Sequence, residues 1–244
     1  MSPSTLSPKT KSSNGYFADK ISSSERNKLK LQLALFYSIA FIALLALWQF
    51  AGEKYLMGRL LISTPSKIYS YACTERANLL AATFETSIES LLGLIVATLI
   101  GFGLMIVCLY FPGLLNLILP GMVISQVIPL ISLAPFFIMA LGFGLSSKVA
   151  MVVLISIFPI FVNFAQGVKM IPASAIDLFK IHKASRTMFV QYLYVPMSLP
   201  NIFAGLKIAS TLAVIGAIVA EFTGADQGLG KNLYLACKKL QPFS

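Results

Sequence analysis

GVKMIPASAIDLFKIHKASRTMFVQYLYVPMSLP, Gly167 to Pro200, is the longest run in the second half of the chain polar enough to live in water. Lys169, Asp177, Lys180, His182, Lys183 and Arg186 fall within it, and the segments on both sides are almost free of charge. Pro172 suits a first helical position, Ser185 suits an N-cap, and Pro196 and Pro200 read as helix ends. Two short amphipathic helices outside a bilayer, set between two spanning helices, fit this punctuation. Such an element is suited to docking a partner.

The remainder of the chain supplies the bilayer. Apolar residues make up 57% of the 244 and charged residues 11%, against roughly 45–50% and about 25% in soluble domains. With a mean hydropathy of +0.81, the expected class is an all-α integral membrane protein. Residues 1–30 are rich in Ser, Lys and Asn and read as a cytoplasmic tail. Residues 31–50 read as a first span with Trp48 as its interfacial anchor. Their extended apolar core and long leader favour an uncleaved span over a signal peptide. Residues 51–82 read as an external loop with room for short helices.

A second span is expected from Ser87 to Leu109. Glu85 and Glu89 stand in its first turns, where carboxylates suit a helix N-terminus, and read as a solvated helix start. Gly93, Gly101 and Gly103 give it a smooth packing face. Leu114 to Leu141 is too long for one straight span and carries Pro120, Pro129 and Pro135. Broken backbone in a membrane is tolerated only beside protein or a wet cavity. Gln126, Pro129 and Ser132 are therefore candidates for a translocation path, with polar glue between helices as the open alternative. A span from Ala150 to about Phe164 contains Asn163, a further candidate for the path. The fifth, Ile202 to Phe222, has Lys207 about one turn in, able to snorkel to the surface, and Glu221 near the far interface, as a path residue or a cap. Four crossings separate the N-terminus from the central loop and put both on the cytoplasmic side.

Several functions are excluded. The net charge of +10 does not signal nucleic acid, because the basic residues do not cluster with aromatics and six precede the first span. Cys73, Cys108 and Cys237 lack any CxxC spacing, and His182 is the one histidine, so neither a disulfide framework nor a metal site is supported. Gly224 to Asn232, GADQGLGKN, approaches a phosphate-binding loop, but its glycine spacing is one residue too long and Asn232 replaces the magnesium-binding Ser or Thr. No catalytic triad or paired-carboxylate arrangement is present, so an enzyme is not expected.

The central loop resembles the EAA loop of ATP-binding-cassette importer permeases. Asp177, Leu178 and Phe179 occupy its acidic-Ala-Ala positions and Lys183 its Gly position. Ala184, Ser185 and Arg186 match the Ala-Ser-Arg that follows, and Val195-Pro196 the closing Leu-Pro. Ser63-Thr64-Pro65-Ser66, Gly142-Phe143-Gly144, Gly205-Leu206-Lys207, Ala220-Glu221-Phe222 and Gly228-Leu229-Gly230 resemble further family segments. The likeness covers residues 62 to 235 and is nearest the sulfonate, taurine, nitrate and thiamine-precursor permeases. It implies the type I importer fold, about five spans here with the family's last span missing, and a permease domain over 83–244 with a cytoplasmic coupling loop at 167–200. It also implies a bacterial inner-membrane protein paired with a second copy as a homodimer, in contact with lipid. A cytoplasmic ATPase would use ATP, which this chain does not bind as a cofactor, and an external binding protein would deliver a small solute. The positive net charge tilts that solute toward anions. Two other readings stay open: a truncated remnant that no longer transports, and a secondary carrier or membrane enzyme working without an ATPase.

Overall fold

The computed structural model describes residues 14–56, 63–224 and 227–240, and among them every regular element is helical. The chain divides into two compact units, residues 1–74 and 75–244. In the first, α1 (Asn14–Ala51) runs into a π-helical turn at Gly52–Leu56, and α2 (Pro65–Thr74) follows. Helix α1 begins at Asn14, well inside the stretch 1–30 expected to be a cytoplasmic tail. Past Gly15 that stretch contains no proline or glycine, and the span beyond supplies a ready helix to extend. Gln49, near the end of α1, donates from Nε2 to Ser66 Oγ at 2.9 Å and accepts from the Ser66 N–H at 3.2 Å. Those two bonds fasten α2 to α1.

The second unit comprises α3 (Arg76–Tyr110), α4 (Pro112–Val127), α5 (Leu130–Leu141), α6 (Leu145–Lys169), α7 (Ala173–Ile181), the short α8 (Arg186–Met188), α9 (Val195–Phe222) and α10 (Leu229–Leu240). Among the described residues, four stretches are long and apolar enough to cross a membrane: Lys30–Lys54, Arg76–Tyr110, Leu145–Lys169 and Arg186–Phe222. The pair α4 and α5, bent by 104°, supplies a fifth if counted as one crossing. Its two halves pack at opposite ends of the bundle. Leu114, Leu115 and Met122 of α4 lie on Phe161 and Phe164, whereas Leu130 and Phe137 of α5 lie on Met151 and Ala220.

Small residues let α3, α6 and α9 approach closely. A methyl group added at Gly205 would fall 2.7 Å from the Pro159 carbonyl oxygen, and one at Gly167 would fall 2.8 Å from Ser198 Cβ. On α3, Gly93 is pressed against Val152 and Gly101 against Ile160 and Ile157. Gly103, expected on the same packing face, meets nothing within 4 Å.

Three sequence expectations change. Helix α3 begins at Arg76, so it consumes the end of the expected 51–82 loop and carries Glu89 nearly four turns inside the helix. Pro120 and Pro135 sit within α4 and α5; only Pro129 marks a break. Proline disfavours helical backbone in the residue before it, and Ile128 is extended at ψ 125°. Finally, Pro196 and Pro200 do not end a helix. A π-helical segment, Phe189–Tyr194, precedes Pro196 and joins α8 to α9 in one continuous helical run. Such wide turns absorb the i−4 bond that proline cannot make.

Candidate functional site

Helix α7 protrudes at the bundle end where α6 finishes and the α8–α9 run begins. Pro172 precedes its first residue in extended conformation, and the N–H of Ile176 reaches the Pro172 carbonyl at 3.4 Å. Its other end closes by two reciprocal bonds. The Lys183 N–H donates to the Lys180 carbonyl at 2.9 Å, and the Ala184 N–H donates to the Phe179 carbonyl at 3.0 Å. This six-to-one and five-to-two pairing is the Schellman stop, and it requires left-handed backbone at the residue past the cap. That residue is Lys183, with φ of +51°, the one described non-glycine residue with positive φ. The turn therefore explains why a glycine belongs at this position.

Asp177 and Leu178 face outward. Asp177 pairs with Lys180 at 3.0 Å, both exposed, an interaction worth little in water. Phe179 turns back: its ring lies 5.4 Å from that of Phe189, which in turn lies 5.8 Å from Tyr194. Bulk at this position thus fastens α7 to the π-helical segment. An apolar groove of about 290 Å³ is left along this side, lined by Leu178, Phe179, His182, Ala184, Met188 and Tyr192. Ser185 caps α8 as expected, its Oγ accepting from the Met188 N–H at 3.3 Å. Arg186 donates from Nη1 to the Tyr110 carbonyl at 2.5 Å. The last carbonyls of a helix lack donors of their own, so Arg186 caps α3 and ties the loop to the α3–α4 corner. Pro196 lies two residues into α9 rather than at the loop's end.

The second candidate group is at the α4–α5 break. Gln126 and Pro129 line a cavity of about 210 Å³ together with Ser125, Leu130 and, from α6, Leu154 and Ile155. Ser132 is exposed in the first turn of α5, its N–H donating to the Pro129 carbonyl at 3.0 Å. Asn163 and Glu221 are elsewhere. Asn163 donates to the Pro159 carbonyl of its own helix at 2.8 Å, beside Gly205. Glu221 is fully buried.

Glu221 belongs to a polar cluster at the bundle end opposite α7. The Thr86 hydroxyl donates to Glu221 Oε1 at 2.6 Å, the Gly230 N–H donates to Oε2 at 2.5 Å, and the Leu229 N–H donates to Thr86 Oγ1 at 3.0 Å. The carboxylate therefore caps the start of α10. Gly228, at φ +125°, wraps against it so closely that a side chain there would overlap the carboxylate. Of the glycines that mimicked a phosphate loop, Gly228 and Gly230 serve this approach, and Gly224 lies against Phe143. Nearby, Glu89 is 1% exposed and pairs with Lys148 at 2.5 Å. It is no solvated helix start, because α3 begins at Arg76 and thirteen residues of helix precede it. Nothing in the sequence marked Lys148 as the partner of Glu89 or Thr86 as that of Glu221.

Residues 90–239 match the family of binding-protein-dependent transport system inner membrane components. The chain belongs to this family. It is a multi-pass permease of the bacterial inner membrane, part of an ATP-binding-cassette importer for small solutes, and not an enzyme. It is 34% identical over 206 residues to the formylaminopyrimidine transport permease protein of Halalkalibacterium halodurans, covering 81% of this chain and 79% of that one. To the riboflavin transport system permease protein of Chloroflexus aurantiacus it is 36% identical over 117 residues, 48% of this chain and 44% of the relative. The nitrate import permease protein of Synechococcus elongatus is 28% identical over 111 residues, 46% of this chain and 40% of the relative. The three names span a pyrimidine, a flavin and an inorganic anion.

Proposed function

We propose that two copies of this chain form the inner-membrane path of the importer and that α7 is where each takes up the motion of a cytoplasmic ATPase. The observation that carries this is the construction of α7. It is a short helix outside the bundle, closed at Lys183, held by Phe179 on Phe189, and displaying Asp177 and Leu178 beside an apolar groove. A rigid body so placed passes displacement to α6 and to the α8–α9 run on either side, and packed bundles switch rather than deform. Solute delivered by an external binding protein would pass the break lined by Gln126 and Pro129, with Ser132 beside it. There the last carbonyls of α4 and the first N–H groups of α5 supply acceptors and donors.

The test is to place a photoreactive benzoylphenylalanine at Leu178 in the full chain and irradiate native membranes. The expected result is a cross-link to a P-loop ATPase, absent when the same group stands at Leu92 in α3. Cross-links at Leu178 only to lipid or to the permease itself would refute the reading. Candidate solutes, from pyrimidine thiamine precursors to sulfonates and nitrate, are then separated by uptake of each labelled compound.

A further inference from the structure

Helix α10 is amphipathic, and the bundle covers only its first turn. Gly230 is pressed against the Ile218 carbonyl and Glu221, and the Leu229 N–H donates to Thr86, so the start of α10 is fixed to α9 and α3. From Leu233 to Lys238 every residue is exposed, Leu233 at 50% and Tyr234 at 47%. At 100° per residue, Leu229, Leu233, Ala236 and Cys237 fall on one side of the helix and Lys231 and Lys238 on the other. Tyr234 stands at the border, and Leu235 is the one apolar residue of 229–238 on the basic side. Among the described residues neither lysine has an acidic partner, and the helix itself contains no acidic residue.

The level of α10 in the bilayer follows from α6. At 25 residues α6 is about 37 Å long, close to one crossing of a hydrocarbon layer about 30 Å thick, so its first residue, Leu145, marks the boundary at the end opposite α7. Gly224, in the turn between α9 and α10, lies against Phe143 in the turn just before α6. Leaving the bundle at that level, α10 has two courses, along the surface or back into hydrocarbon. The lysines decide between them. Two turns apart on one side, they share one depth only if the helix lies flat, whereas a course along the bilayer normal would carry Lys238 about 10 Å deeper than Lys231, at the cost of a charge in hydrocarbon.

The geometry points to α10 as a surface helix of the outer leaflet, with Leu233, Ala236 and Cys237 set among acyl chains and Lys231 and Lys238 drawing anionic lipid headgroups to it. An apolar side and a basic side then bind the same surface together. Because the start of α10 is bonded to Glu221 and Thr86, lipid held there anchors the external ends of α9 and α3.

The test places a bimane fluorophore at Leu233→Cys in the full chain, with the exposed Cys73 and Cys237 changed to Ser and Cys108 buried out of reach. The chain is reconstituted in mixed phosphatidylcholine and phosphatidylglycerol vesicles in which one lipid or the other carries brominated acyl chains. Both brominated lipids should quench the label, and phosphatidylglycerol should quench it more at equal content. Lys231→Gln with Lys238→Gln should remove that preference, expected at roughly fivefold for each lysine acting at the surface. No quenching by either lipid would place Leu233 in water or under protein, a second copy of this chain included, and would overturn the inference. Equal quenching by the two lipids while both lysines are present would overturn the role of charge. Neither failure touches the ATPase cross-link at Leu178, which reports on the other end of the bundle.

Discussion

Replacing Lys183 by glycine should strengthen the end of α7. Left-handed backbone costs a residue with a Cβ about 1–2 kcal/mol, and Lys183 occupies it at φ +51°. Glycine removes that cost but loses about 0.5–1 kcal/mol more backbone freedom on folding. The net gain is about 0.5–1 kcal/mol, or roughly a two- to fivefold slower local opening. Hydrogen exchange of the detergent-solubilised chain, read at the amides of Lys180 to Ala184, measures it directly. Lys183→Ala is the control, because it removes the charge and retains the Cβ. Slower exchange in the glycine variant and no comparable slowing in the alanine variant are expected. Equal slowing in both would show that charge, not backbone shape, sets the stability of this turn, and would refute the reasoning.

Lys148→Met leaves the buried carboxylate of Glu89 without its partner and should cost about 3–5 kcal/mol, seen as a lower melting temperature in detergent; Glu89→Gln added to it should recover most of the loss. Gly93→Ala forces α3 away from Val152 at a cost of about 1–3 kcal/mol, whereas Gly103→Ala, facing open space, should be neutral or slightly stabilising in the same melt. Arg186→Gln cuts the tether to the Tyr110 carbonyl, a charge-assisted bond discounted to about 1 kcal/mol by exposure. ATPase binding should persist while solute imported per ATP hydrolysed falls, by up to roughly fivefold, and Arg186→Lys should retain part of the ratio.

The sequence exposed whatever announces itself locally. Charges from Lys169 to Arg186 amid apolar runs marked the segment of α7, Ser185 marked the cap of α8, and Pro129 was among the three prolines that marked the broken region. Partners far along the chain were hidden. Thr86, Glu221 and Gly230 come from α3, α9 and α10, and nothing in the spacing of any one helix reveals that Glu221 caps another. Errors in helix starts then propagated. Starting α3 at Ser87 made Glu89 look solvated. Pro196 and Pro200 were read as stops, because the π-helical segment that precedes Pro196 has no simple sequence signature and the run into α9 was not visible.

The proposed coupling of this permease to an ATPase runs through α7. Its most direct test is purification of the tagged full-length chain from its native host in mild detergent, with bound proteins identified by mass. A P-loop ATPase recovered in about equal amount, and lost when Asp177, Leu178 and Phe179 are together changed to Ser, is the predicted result. An ATPase present in the lysate but absent from the purified chain, or one that stays bound when α7 is so altered, would contradict it.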